Sequence, residues 1–286
     1  MTNRVLFFCF ILGLSSCGRK DSSHTVDAEL RSDQTATILP ITPTVNMRYI
    51  PGGEYLPFYG AIDTNRVKVP PFLIDERAVT NQEFLDFVTV NPKWRKSQVM
   101  KIYADTAYLT KWPSDLELPK GAKPDAPVCY VSWFAAKAFA KSVGKRLPKL
   151  DEWEFIAMAD TDTPNARGKK EYSTGIIDLY LVKNRQYQSV KKGVPNYWGV
   201  YDMFDLIWEW TDDFNSILSV GDSRTGAIEG GSLFCAAGAT SATDVSNYAA
   251  FMRFAMRTSV KANYAIANLG FRCAKDTILA PIVNVE

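Results

Sequence analysis

Pro127-Val128-Cys129-Tyr130-Val131-Ser132-Trp133 is followed at close range by Gly144-Lys145-Arg146-Leu147-Pro148 and then Glu152-Trp153-Glu154. The apolar run at 127–131 reads as a short strand. Ser132 supplies an N-cap hydroxyl for a helix through 143, where Gly144 provides the stop and Pro148 forbids continuation. A further helix is predicted over about 151–159. The unit is therefore strand, capped helix, tight turn, helix, in less than thirty-five residues.

Working outward toward the N-terminus, Met47-Arg48-Tyr49-Ile50-Pro51-Gly52-Gly53-Glu54-Tyr55 reads as a strand entering a Pro-Gly turn, and 67–74 as another strand. Thr80-Asn81-Gln82-Glu83 is a capping box, and Phe84, Leu85, Phe87 and Val88 give the helix behind it an apolar face. Beyond 160, Gly, Asn, Asp and aromatic residues dominate and periodicity is weak. That half is expected to be loop-rich with short strands. The globular part is bounded at 45–279, with a tail over 280–286.

Composition narrows the chemistry. Hydrophobic residues at 47% and aromatics at 13% suffice for a sizeable core, while 33 basic against 31 acidic residues leave no electrostatic footprint for nucleic acid. The one histidine, His24, lies in a polar N-terminal stretch. Ser-His-Asp triads, Cys-His pairs and multi-histidine zinc or iron sites all need imidazole at the site and are excluded.

Residues 1–17 contain Arg4, an apolar run over 5–14 and Leu14-Ser15-Ser16-Cys17 before Gly18. This reads as a signal peptide, too short for a membrane-spanning helix. Its end resembles the bacterial lipobox, which implies lipidation of Cys17; an ordinary cleaved signal with an incidental cysteine is the alternative. Residues 18–44 are polar and read as a disordered tether of roughly 30 Å root-mean-square reach. The expected location is the bacterial envelope, lipid-anchored on the outer membrane. With Cys9 and Cys17 set aside, Cys129, Cys235 and Cys273 remain, an odd number for an exported protein. Cys129 reads equally well as a small buried hydrophobe.

Several segments together carry a family likeness. Ile50-Pro51-Gly52-Gly53, Ile74 to Phe84, the three segments quoted first, Gly199-Val200-Tyr201-Asp202-Met203 with Trp208-Glu209-Trp210, Gly230-Gly231-Ser232, and Asn268-Leu269-Gly270-Phe271-Arg272-Cys273 occur in order across about 47–276. The chain resembles the formylglycine-generating-enzyme, or sulfatase-modifying-factor, family. The resemblance implies an α+β fold related to C-type lectins, loop-rich with little regular secondary structure. A narrower likeness, in 91–97, 104–109, Tyr248 to Arg253 and Arg257, is to proteins encoded beside copper nitrite reductases, the NirV proteins.

The resemblance also implies a site. Active members bind copper(I) through two cysteines five residues apart and convert a sulfatase cysteine to formylglycine. Cys235 fits the first position, but Thr240 stands at the second, and a neutral hydroxyl is a poor ligand for a soft cation. Ser232 and Trp208 match pocket-lining positions. Arg257 and Arg272 are candidates to hold a peptide, or else to form structural salt bridges. Glu209 and Asp205 are candidate calcium ligands, although the usual Gly-Asn is replaced by Asp205-Leu206. Cys273 lacks the family's disulfide partner, whose place is taken by Ala140, and is expected either as an inert buried thiol or paired with Cys129. Rescue of the copper site by Cys129 or Cys273 is a further option.

Three functions follow as expectations. The first is an envelope-tethered, non-catalytic module that binds a protein or peptide and assists assembly, with an exported copper or nitrite-reducing enzyme as a candidate partner. The second is a copper-dependent oxidase acting on a protein cysteine through Cys235. The third is a lectin-like carbohydrate binder.

Overall fold

The computed structural model describes residues 45–57, 66–215 and 245–277. Strand β1 (Met47–Ile50) leads through a tight turn into β2 (Gly53–Tyr55). The turn needs glycine at position 52: its φ is +72°, and a Cβ there would lie 2.2 Å from the carbonyl oxygen of Val69. The single strand expected over 67–74 is two, β3 (Val67–Val69) and β4 (Phe72–Asp75). Pro70 and Pro71 lie between them and have no N–H to donate, so the ladder stops there and restarts against a different neighbour.

The capping box forms as expected: Thr80 Oγ1 accepts from the Glu83 amide at 3.3 Å, and the Glu83 carboxylate accepts from the Thr80 amide at 2.8 Å. It starts helix α1 (Asn81–Val90), which buries Phe84, Phe87 and Val88. Ser132 caps helix α2 (Trp133–Ser142), its hydroxyl accepting from the Ala135 amide at 3.2 Å. Gly144, at φ +67°, turns the chain toward helix α3 (Leu150–Ala157). The strand expected at 127–131 is not formed. Pro127 makes one isolated bridge to Thr80, and Tyr130 is left-handed at φ +58°, which takes the segment out of extended geometry.

The second half departs most from expectation. Helices α4 (Lys170–Leu181) and α5 (Val245–Ser259) fall where loop was read. Strand β5 (Trp208–Glu209) pairs in parallel with β6 (Leu269–Gly270), and β7 (Ala274–Asp276) completes the set. Strand β7 pairs antiparallel with β4, and β4 with β1, giving a three-stranded sheet in which the first and last strands flank the same neighbour. Gly270 is obligatory for close approach, because a Cβ would meet the Val128 carbonyl oxygen at 2.2 Å.

Two apolar clusters hold these elements. One centres on Phe84, Phe87, Phe139 and Phe271, with Trp112 and Trp210 at its edges. Phe139 packs edge-on against Phe271 at 5.3 Å and stacks with Phe84 at 6.0 Å. The other joins the sheet to α3 through Ile50, Phe72, Ile74, Trp153 and Ile156. Trp94, Trp112, Trp153 and Trp210 are all buried, so much of the aromatic content is core. Among the described residues no helix is long and apolar enough to cross a membrane.

Candidate functional site

Strand β5 places Trp208 and Glu209 on opposite faces. The Trp208 ring is half-buried and lies 4.8 Å from the Tyr180 ring of α4. Glu209 points inward, where Oε2 accepts from Trp153 Nε1 and Arg272 Nε, both at 2.8 Å, and Oε1 accepts from Arg272 Nη2 at 2.9 Å. Arg272 is fully enclosed and also donates to the backbone carbonyls of Tyr201 and Asp75. Its guanidinium is engaged by Glu209 and two backbone carbonyls, so of the two roles offered for Arg272, a peptide clamp or a structural salt bridge, the geometry fits the salt bridge.

Arg257 behaves similarly but with a loose end. Glu154 of α3 accepts from Arg253 Nε at 3.0 Å and Nη2 at 2.7 Å, and from Arg257 Nη1 at 2.8 Å. All three side chains are buried. Burial alone would push the Glu154 carboxyl up, but the two guanidinium groups outweigh it and hold it down at about 2. Both arginines also lie near the Trp153 ring, Arg257 at 4.8 Å and Arg253 at 5.8 Å from its centre. Among the described residues, Arg257 Nε has no hydrogen-bond partner. The adjoining cavity, lined in part by Glu154, Arg253 and Arg167, is about 30 Å³, room for a water-sized molecule and far below a peptide side chain.

Sequence reading missed Glu154 and Arg253 as members of this centre. The signal was present: Ala249, Ala250, Arg253, Phe254 and Arg257 fall on one face at helical spacing, and all are buried. Two inward-facing arginines interrupt the apolar stripe by which helix α5 would otherwise announce itself.

The two candidate calcium ligands are engaged by other partners or lie apart. Both oxygens of Glu209 face Arg272, and a divalent cation there would have to displace a buried guanidinium. Asp205 sits half-buried in the preceding turn, where its charge, after burial, helps raise the Asp202 carboxyl. Among the described residues no cluster of three or more His, Cys, Asp or Glu could hold a metal ion.

The thiols divide similarly. Cys273 is fully buried; its amide donates to Asp75 Oδ2 at 3.1 Å, and burial, aided by that carboxylate, pushes the thiol well up. Cys129 packs against Ala78, Leu206 and Ile207, and burial pushes its thiol up as well. Both are free, so the Cys129–Cys273 pairing does not form. Both surroundings disfavour a free thiolate, and among the described residues no second thiol stands beside either one. Cys17, Ser232, Cys235 and Thr240 lie outside the described residues.

A mixed α+β domain with little regular structure, its two ends paired to one strand and its interior pinned by Glu209–Arg272 and Glu154–Arg253–Arg257, is the class this geometry defines. The family model described as the sulfatase-modifying factor enzyme 1-like domain matches residues 36–277, and the chain belongs to that family. It is 30% identical to a formylglycine-generating enzyme of Streptomyces coelicolor over 80% of this chain and 89% of that protein. It is 27% identical to one from Thermomonospora curvata over 80% and 93%. It is 26% identical to the inactive C-alpha-formylglycine-generating enzyme 2 of Bos taurus over 81% and 88%.

Proposed function

We propose that this protein is a non-catalytic member of its family, a lipid-anchored envelope module that binds a protein or peptide and assists the assembly of an exported enzyme, with a copper or nitrite-reducing enzyme as the leading candidate partner. The observation that carries the reading is the state of the thiols available to replace the missing one. Thr240 stands where the second copper ligand should be; Cys273 is fully enclosed, and Cys129 is half-buried among apolar side chains that disfavour its thiolate. The donor set therefore does not fit a copper(I) centre built on two thiolates. A relative of similar identity and coverage is itself named inactive, which supports a family fold maintained without the reaction. Anchoring rests on Cys17 and the polar stretch that follows it.

The competing reading is a copper-dependent oxidase working through Cys235 alone, favoured by the likeness to proteins named as formylglycine-generating enzymes. Competition titration with a copper(I) chelator separates the two, using the mature protein and its Cys235→Ser variant. The module predicts copper retention no tighter in the parent than in the variant, and no loss of thiol from a cysteine-bearing sulfatase peptide in air. Stoichiometric copper that disappears in the variant, with conversion of the peptide, would establish the oxidase instead.

A further inference from the structure

A second cleft, sharing no lining residue with the cavity beside Glu154 and Arg253, opens where the 3-10 turn Arg185–Tyr187, the loop at 119–123 and the segment at 126–130 meet. Its volume is about 340 Å³, within the range of small-molecule sites, and its lining is mainly apolar. Trp112, 4% exposed, and Cys129 line it together with the phenol rings of Tyr130 and Tyr187. Cys129 is half-buried, and its apolar surroundings push the thiol up, so the cysteine contributes a soft, uncharged surface.

The polar character is one-sided. Lys111, Lys120 and Lys123 line the cleft, and none of its lining residues is acidic. Lys111 and Lys120 are exposed and, among the described residues, pair with no carboxylate; Lys123 reaches only the side-chain oxygen of Gln188, at 3.3 Å. Three ammonium groups around a low-dielectric recess reinforce one another's field and raise the local concentration of anions.

The backbone beneath is built at some strain. Tyr130 at φ +58° and Leu109 at φ +45° are both left-handed, and the Leu109 amide donates to the Tyr130 carbonyl at 2.9 Å. The Tyr130 amide in turn donates to the Ile266 carbonyl at 3.0 Å. Bulky residues stay in this region only where their surroundings over-determine them, and such positions gather at ligand sites. Here the strain sets a tyrosine in the wall of the cleft.

We infer that this cleft binds a small organic anion with a planar apolar body, the ring lying among Trp112, Tyr130 and Tyr187 and the anionic group facing Lys111, Lys120 and Lys123. The site is independent of copper chemistry and of any partner at the Trp208 centre.

Two fluorescent probes of nearly the same shape test it: anilinonaphthalene sulfonate, and N-phenylnaphthylamine, which lacks the sulfonate. The intact protein should bind the sulfonate at one site and the neutral dye at least about tenfold more weakly. Added salt should weaken the sulfonate and leave the neutral dye unchanged. The double reversal Lys111→Glu with Lys120→Glu, at exposed positions that leave folding intact, should weaken the sulfonate by about tenfold or more and spare the neutral dye. Ala122→Trp in the lining should weaken both, with an unchanged circular dichroism melt confirming the fold. Equal affinity for the two dyes, indifference to the lysine reversal, or indifference of both dyes to Ala122→Trp would each overturn the assignment.

Discussion

Glu154→Gln should destabilise the protein in a way that fades as the pH falls. The carboxylate lies between two guanidinium groups, all buried, and arginine cannot shed its charge. Glutamine matches the shape of glutamate, but its amide nitrogen would face one of those guanidinium groups donor to donor. Removing one partner of a buried ion pair costs about 3–5 kcal/mol, since the opposing charge stays behind unpaired. The pH dependence supplies an independent magnitude. The Glu154 carboxyl is depressed from its ordinary 4.5 to about 2. A depressed carboxyl contributes stability that is complete above the unfolded value and is lost as pH drops through the folded one. That contribution is about 3 kcal/mol, so the two routes agree. Urea unfolding at a series of pH values would measure both proteins side by side. The gap between them should be about 3–5 kcal/mol at pH 7 and should narrow progressively below about pH 4.5, since the parent then loses what the variant never had. Contributions from all other carboxylates cancel in the difference. A gap under about 1 kcal/mol at neutral pH, or one that stays constant into acid, would refute the placement of Glu154 as the buried counter-ion of Arg253 and Arg257.

Four further outcomes follow from the packing. Phe139→Ala, in the aromatic cluster with Phe84 and Phe271, should cost about 3–5 kcal/mol by denaturant unfolding, whereas Ser132→Ala at the cap of α2 should cost about 1 kcal/mol. Gly52→Ala should destabilise strongly and lower the melting temperature, because the new Cβ meets a backbone oxygen that cannot yield without moving β3. Cys273 should resist a thiol reagent in the native state at neutral pH and react fully once unfolded, read by mass spectrometry of the labelled peptide; rapid native labelling would contradict its burial beside Asp75.

Sequence signals were clear where the local rule and the tertiary demand coincide. Thr80 with Glu83 and Ser132 with its following apolar stretch announced α1 and α2, because capping is decided within four residues. They failed where the interior is charged. Helix α5 turns Arg253 and Arg257 inward, and a pattern that counts arginine as a surface residue finds no buried stripe there. Helix α4 carries Gly175 and fully buries only Ser173 and Ile176, so its hold on the core is too thin to register as periodicity. Tyr130 misled for another reason: valines on either side favour extended chain, while the left-handed turn at 130 is fixed by Ile266 and Leu109, partners remote in sequence. The arginines of the site were legible as residues and not as roles. Whether Arg272 faces a ligand or Glu209 depends on the pairing of β5 with β6, which no local signal encodes.

Among the described residues, the segments that carry the family resemblance make structural contacts. Glu83 closes a cap, Arg146 makes two hydrogen bonds to the Glu152 carboxylate at 2.7 Å each, Glu209 pairs with Arg272, and Gly270 lets β6 lie against Val128. Each contact holds elements together, and none requires the copper-binding thiols. Agreement across these segments therefore reports the fold, and a member that has lost the second cysteine can satisfy every one of them. The proposed loss of copper chemistry rests on two other positions, 235 and 240, which lie outside the described residues. For this chain the resemblance is evidence of architecture, and the proposal about its reaction rests on Thr240. The two do not conflict, because they are carried by different residues.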